Sequence, residues 1–211
     1  MNIMEIQNVQ YAYDGKKKVL KGINAQMELG KMYAILGPSG CGKTTLLSLL
    51  GGLDSPSSGQ ILYQGEDIAK TGLANHRRSH VAFIFQSYNL IDYLTPMENV
   101  ALTSKLPPLP ILEQLGLTAE EAKRNVLKLS GGQQQRVAIA RALASDAQVI
   151  LADEPTGNLD EDTAAEITAI LKDSAHKSGK CVVIVTHSNE LAKEADAVFR
   201  LTKGGLKLSK L

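Results

Sequence analysis

Gly37-Pro38-Ser39-Gly40-Cys41-Gly42-Lys43-Thr44 fits the pattern G-x-x-x-x-G-K-[ST]. An apolar run, Met32 to Leu36, precedes it, and a helix carrying Leu46, Leu47, Leu49 and Leu50 follows it. The glycines let the backbone turn tightly, so that several N–H groups converge on phosphate oxygens. The helix aims its positive end at the same point. Lys43 adds a full charge near the β- and γ-phosphates, and the Thr44 hydroxyl is a ligand for Mg²⁺. Thr45 is counted with the nucleotide-contacting residues. The plain alternative is a Gly-rich structural turn, and the strand before and helix after weigh against it.

The rest of the chain organises around this loop. Met4 to Val9 alternates loosely, and Val19 to Leu29 does so again after the turn signal Asp14-Gly15, so both read as strands. Gly51-Gly52 ends the first helix, Asp54 to Gly59 reads as a polar loop, and Val81 to Phe85 is a further apolar strand. Residues 87–145 change texture. They read as mainly helical, broken by Leu106-Pro107-Pro108-Leu109-Pro110, and end in a helix from about Gly132 to Ala144. Alternation then resumes: strand Val149 to Ala152, helix Asp160 to His176, strand Cys181 to Val185 and short helix Ser188 to Glu194. Strands alternating with helices imply parallel βαβ units.

Two further motifs carry chemistry. The strand Val149 to Ala152 ends in Asp153-Glu154. Beside a phosphate loop, Asp153 would enter the magnesium shell. Glu154 points differently and would polarise the attacking water. Both acids also suit a simple loop cap ahead of Pro155. The second motif, Leu129-Ser130-Gly131-Gly132-Gln133, opens a helix and makes a second anion-binding nest, or an ordinary Ser N-cap. Two phosphate-seeking loops in one chain are more than a simple kinase requires.

With these residues in order, nearly the whole chain resembles the ATP-binding subunit of an ABC transporter. The resemblance implies an α/β fold: a P-loop NTPase core with a mostly parallel sheet, an N-terminal antiparallel β subdomain and an inserted α-helical subdomain. The expected division is a single ATP-binding domain over 1–211, with residues 1–86 and 146–211 as the core and residues 87–145 as the helical part. In the family two subunits face head to tail, and each ATP lies between the phosphate loop of one and the signature loop of the other. Ser130, Gly131, Gly132 and Gln133 would thus face the γ-phosphate bound by a second copy. By the same resemblance Tyr13 stacks on adenine, with Tyr11 as a competitor. Gln86 is the Q-loop glutamine that reaches magnesium. Asn158-Leu159-Asp160 is the D-loop, although Asp160 also suits an N-cap. His187 is the switch histidine at the γ-phosphate. Without the family, Gln86 and His187 would read as polar caps at strand ends.

Phe85-Gln86-Ser87-Tyr88-Asn89-Leu90, Thr95 to Val100, and Ala152 through Asp160 resemble the branch of lipoprotein-release and macrolide or antimicrobial-peptide export ATPases. That branch also includes an ATPase of cell division. Between Gln86 and Ser130 the chain is shorter than the branch usually has, in the region that docks the membrane partner. The implied activity is ATP hydrolysis with Mg²⁺, catalysed through Lys43, Glu154 and His187. The implied partners are a second copy and a transmembrane permease, with export or release of a peptide, lipoprotein or antibiotic. The alternative is a regulatory ATPase signalling to a cell-wall or stress-sensing membrane partner.

Composition narrows the classes. Lys plus Arg is 23 and Asp plus Glu 22, so charge gives no push toward nucleic acid or an anionic membrane. Aromatics are 4% with no Trp, which disfavours a base-stacking platform and a DNA-repair ATPase. No Asn-Lys-x-Asp guanine-reading motif occurs. No apolar stretch approaches the roughly 20 residues of a spanning helix. The N-terminus lacks a basic start and apolar block, and the two cysteines are far apart. The expected location is cytoplasmic, peripheral at the inner face of the membrane through the permease, without direct insertion.

Overall fold

The computed structural model describes residues 2–13, 17–157 and 159–209; Asp14-Gly15 and Asn158 lie outside them. Two sheets organise the chain. The first is antiparallel and has the order β2-β1-β4-β5, built from β1 (Asn2–Tyr13), β2 (Lys17–Glu28), β4 (Ser58–Tyr63) and β5 (Glu66–Asp67). The second is six-stranded with the order β10-β9-β3-β8-β7-β6. Its members are β3 (Met32–Leu36), β6 (Val81–Ile84), β7 (Val149–Asp153), β8 (Cys181–Thr186), β9 (Ala197–Thr202) and β10 (Gly205–Ser209). All neighbours in it are parallel except the closing hairpin β9–β10.

β3 and β8 are buried at every position, as a strand covered on both faces must be. Alternation divides β8 between two cores. Cys181, Val183 and Val185 face the antiparallel sheet and α1 (Lys43–Leu50), where Leu46, Leu47, Leu49 and Leu50 are buried. Val182 and Ile184 face the opposite layer, which includes α6 (Gly131–Leu143) and α7 (Glu161–His176) through Val137, Ile139, Ile167 and Leu171. Burial pushes the Cys181 thiol up to about 12, which leaves it an inert core side chain. The carboxyl ends of three adjacent strands meet at one edge: Leu36 is in register with Thr186, and Asp153 with Val185. The loops that follow those strands carry the candidate chemistry, as expected at this edge of a parallel sheet.

The elements differ from the sequence expectation in ways that have local causes. The proline run is a helix start. α5 (Pro108–Gln114) has Pro107 as N-cap and Pro108 and Pro110 in its first turn, where the missing N–H groups have no intrahelical partner to lose. Residues 87–145 are built from short helices and, among the described residues, carry no strand. They hold α4 (Pro96–Ala101), α5, two 3₁₀ turns (Glu121–Lys123 and Val126–Lys128) and α6, joined by irregular segments. Buried Asn99 explains why one such segment is ordered: its side chain bonds Ile91 N at 2.8 Å and Ile91 O at 3.2 Å. β4, β5, α2 (Ile68–Thr71), α3 (Leu73–Ser79), β9 and β10 were not anticipated, and the polar loop after Asp54 gives way to β4 at Ser58. β2 stops before Leu29, β6 before Phe85, and α8 spans Asn189–Lys193 with Ser188 as its cap. Among the described residues no helix is long and apolar enough to cross a membrane.

A histidine cluster ties α3 to α1 and the antiparallel sheet. His76 is fully buried, and its Nε2 lies 2.9 Å from Leu50 O, so Nε2 carries the proton. Its Nδ1 then accepts from His80 Nδ1 at 3.2 Å, and the His80 ring stacks on Tyr63 at 4.0 Å. Burial holds both histidines below their ordinary value. The folded state therefore binds fewer protons than the unfolded chain. The cluster's contribution is complete above about pH 6.5 and is lost as pH falls below it, at no more than about 1.4 kcal/mol per pH unit for each ring. Thermal melts should show Tm falling between pH 7 and 5.5, with a shallower decline in His76→Gln. Parallel pH curves for the two proteins would remove the cluster from this role.

Candidate nucleotide site

The loop after β3 turns through Gly40 and Gly42, both with positive φ (73° and 105°). A Cβ at Gly42 would stand 2.9 Å from Val19 Cγ1, and one at Gly37 only 2.5 Å from Leu201 O, so both positions require glycine. The Lys43 ammonium folds back to donate to Gly37 O at 2.8 Å and Pro38 O at 3.4 Å. A cleft of ≈ 390 Å³ is lined by Tyr13, Val19, Ser39, Gly40, Gly42, Lys43, Thr44, Thr45, Gln86, Asp153 and Glu154. Gly37 and Pro38 border a neighbouring hollow with His187 and Arg200 instead. The Cys41 side chain packs on the core and does not line the cleft.

Asp153 ends β7 beside the loop. Burial pushes its carboxyl up, while a hydrogen bond from Thr44 and the charge of Lys43 pull it down. Asp153, the Thr44 hydroxyl and the Gln86 amide oxygen are all hard oxygen donors, and a half-buried carboxylate whose charge is disfavoured gains from a cation. This set fits Mg²⁺ sharing its shell with phosphate oxygens. Among the described residues no group of three or more His, Cys, Asp or Glu forms a self-sufficient metal cage.

Glu154 follows at φ 45°, a left-handed backbone for a non-glycine residue. Its N–H donates to Val185 O at 2.9 Å. The carboxylate accepts from Thr186 Oγ1 at 3.0 Å and His187 N at 3.3 Å, and its other oxygen lies 3.0 Å from His187 Nδ1. The Glu154 side chain is 12% exposed and that of His187 72%. His187 does not line the cleft; it touches the cleft residue Glu154 and borders the hollow beside Gly37 and Pro38. The sequence reading missed Thr186, a buried threonine at the end of an otherwise apolar strand, which fixes the Glu154 carboxylate.

The two tyrosines separate clearly. Tyr11 is buried and bonds Asp54, whereas Tyr13 is 56% exposed and reaches Thr45 Oγ1 at 2.9 Å at the cleft wall. Gln86 also reaches the cleft, two residues past β6.

The Ser130 loop stands apart. It borders a different cavity of ≈ 600 Å³ with Gly132, Gln133, Arg136, Leu159 and Asp160, and shares no lining residue with the phosphate cleft. Ser130 caps α6 in a reciprocal box: Gln133 N donates to Ser130 Oγ at 3.3 Å, and Ser130 N to Gln133 Oε1 at 2.9 Å. Gln133 Nε2 donates to Glu121 at 2.7 Å. A Cβ at Gly131 would press on Tyr88 Oη at 3.1 Å. Asp160 N-caps α7 by accepting from Thr163 N at 2.9 Å, and that bond holds its carboxyl below the ordinary range.

A phosphate loop at the carboxyl edge of a parallel sheet, with an acidic pair ending a strand of that sheet, defines a nucleoside-triphosphate hydrolase. Residues 20–157 match the family model described as ABC transporter. The chain belongs to this family and is an ABC ATPase. It is 46% identical over 215 residues to the uncharacterized ABC transporter ATP-binding protein YclH of Bacillus subtilis, covering 97% of this chain and 95% of that one. It is 41% identical to the macrolide export ATP-binding/permease protein MacB 2 of Aeromonas hydrophila, covering 96% of this chain and 33% of that protein. A bacterial ABC transporter cassette solved as a dimer superposes with a TM-score of 0.90 at 36% identity, over 99% of this chain and 98% of that one. The same cassette solved as a post-hydrolysis dimer with ADP and Pi gives 0.89 at 35% identity, over the same shares of the two chains.

Proposed function

We propose that two copies of this chain close on ATP head to tail, and that the cycle of closure, hydrolysis and reopening drives a separate transmembrane permease that exports or releases its substrate. The observation that carries this reading is the separation of the phosphate cleft from the Ser130 cavity within one chain. Each is an anion nest open on one side, and a second copy supplies the other half. The dimeric cassettes among the structural relatives support the pairing. The macrolide export relative, in which a similar segment belongs to an ATP-binding/permease protein, supports the export assignment.

In this reading Lys43 exchanges its two carbonyl partners for phosphate oxygens, a stronger, charge-assisted pairing. The loop amides and the N-terminus of α1 hold the remaining phosphate charge. Thr44, Asp153 and Gln86 would hold Mg²⁺, which when bound would supply charge neutralisation for the triphosphate. Tyr13 offers its exposed ring to adenine. Ser130 and the amides of Gly131 and Gly132 face the γ-phosphate bound by the other copy, and Asp160 borders the same seam. Glu154 orients the attacking water and takes its proton, with Thr186 fixing the carboxylate. His187 swings from Glu154 to steady the γ-phosphate. The chain then works as a peripheral subunit at the inner face of the membrane, held there by its permease.

Co-purification with a membrane protein, followed by reconstitution in vesicles, tests this reading. ATP-driven movement of a peptide, lipid-linked protein or macrolide that stops with Glu154→Gln is the expected result. ATP turnover coupled to the membrane protein with no solute moved would replace export by signalling.

A further inference from the structure

Gln135 was not singled out in the sequence, and the mechanism above does not use it. It lies in α6 two residues beyond Gln133 and is only 2% exposed. Its Nε2 donates to Pro155 O at 2.8 Å. Among the described residues its Oε1 is the buried side-chain oxygen or nitrogen without a hydrogen-bond partner. Rotating the amide does not cure this, because Oε1 would then face the Pro155 carbonyl, acceptor against acceptor. A buried amide oxygen left unpaired is unfavourable, so the side chain sits here for the bond that its nitrogen makes.

That bond lands next to the most constrained backbone of the site. Pro155 follows Glu154, whose φ is 45°, and the turn beyond is closed by Gly157 N donating to Glu154 O at 3.1 Å. β8 holds the Glu154 carboxylate from one side through Thr186. Gln135 holds the Pro155 carbonyl, one residue beyond Glu154, and it belongs to the helix whose first turn is the Ser130 loop. A shift of α6 is therefore carried by one buried hydrogen bond into the loop that aims Glu154. We propose that Gln135 is a positioning residue: it couples engagement of the Ser130 loop, at the nucleotide of the other copy, to the placement of Glu154 in its own copy. This rests on the shared-seam reading above.

The test uses the full chain with Gln135→Met, which removes the donor and the orphan oxygen in an unbranched side chain of similar length, and Gln135→Leu, which removes both in a branched apolar one. Steady-state hydrolysis gives kcat and KM, and light scattering of each change in a Glu154→Gln background gives the ATP-driven dimer. The expected result is a fall in kcat of about 10–100-fold in both variants, the size typical of a lost supporting bond. KM and the ATP-driven dimer stay within about twofold. A kcat within about twofold of the parent overturns the proposal. So does a loss of kcat matched by an equal loss of the dimer, and so does failure of both variants to fold, since either assigns Gln135 to architecture alone. If Glu154→Gln with native Gln135 forms no dimer on Mg-ATP, the shared seam itself is what fails.

Discussion

Glu154→Gln is expected to slow ATP hydrolysis on the order of 10²–10⁴-fold, the loss that follows removal of a positioned general base. The amide keeps the shape of the side chain and can still accept from Thr186 Oγ1 and His187 N, which now hold the carboxylate at 3.0 and 3.3 Å. It no longer accepts a proton from water. Because the phosphate loop is untouched, equilibrium titration should show ATP bound as tightly as by the parent. Single-turnover hydrolysis checks the chemical step directly. Near-parental turnover would take Glu154 out of the role and leave the substrate itself as the proton acceptor.

Lys43→Ala is expected to weaken ATP binding by roughly 10–10²-fold and to abolish measurable turnover. A hydrogen bond to a charged group is worth about 1.5–3 kcal/mol, and about 1.4 kcal/mol is a factor of ten. The change also frees the carbonyls of half-buried Gly37 and exposed Pro38 that Lys43 engages, and the space left by the ammonium admits water to them. Calorimetric titration with Mg-ATP reads the binding loss, and a melt confirms that the fold survives. Unchanged affinity would mean that the loop amides alone hold the triphosphate.

The parts of the fold written most clearly in the sequence are those where burial is complete. β3, β7 and β8 are short apolar runs whose length leaves few alternatives, and Gly37 and Gly42 of the phosphate loop stand where a Cβ would collide. Residues 58–80 were illegible for the opposite reason. β4 begins with exposed Ser58 and Gly59, and β5 is two polar residues long; pairing of β4 with β1 and of β5 with β4 decides their structure rather than their own pattern. The prolines at 107–110 carry a signal with two meanings, a break or a helix start, and the first-turn placement selects the second.

The candidate site divides along the same line. Lys43, Thr44, Asp153 and Gln86 line one cleft, because each sits at or near the end of a strand or the start of a helix. Tyr11 and Tyr13 fall on the same alternation and their rings meet edge to face at 5.0 Å; what two-residue spacing does not reveal is that Tyr13, at the end of β1, is exposed while Tyr11 is buried. Thr186 and Gln135 were invisible because their meaning lies in a partner 32 and 20 residues away.

The central claim is that the nucleotide is shared between copies, and light scattering on Glu154→Gln is its most direct measurement. With Mg-ATP present the mass should double, and return to that of the single chain when ATP is withheld or when Gly131→Arg fills the Ser130 nest. A Glu154→Gln protein that binds ATP yet keeps the mass of one chain, with its permease supplied, would contradict the account.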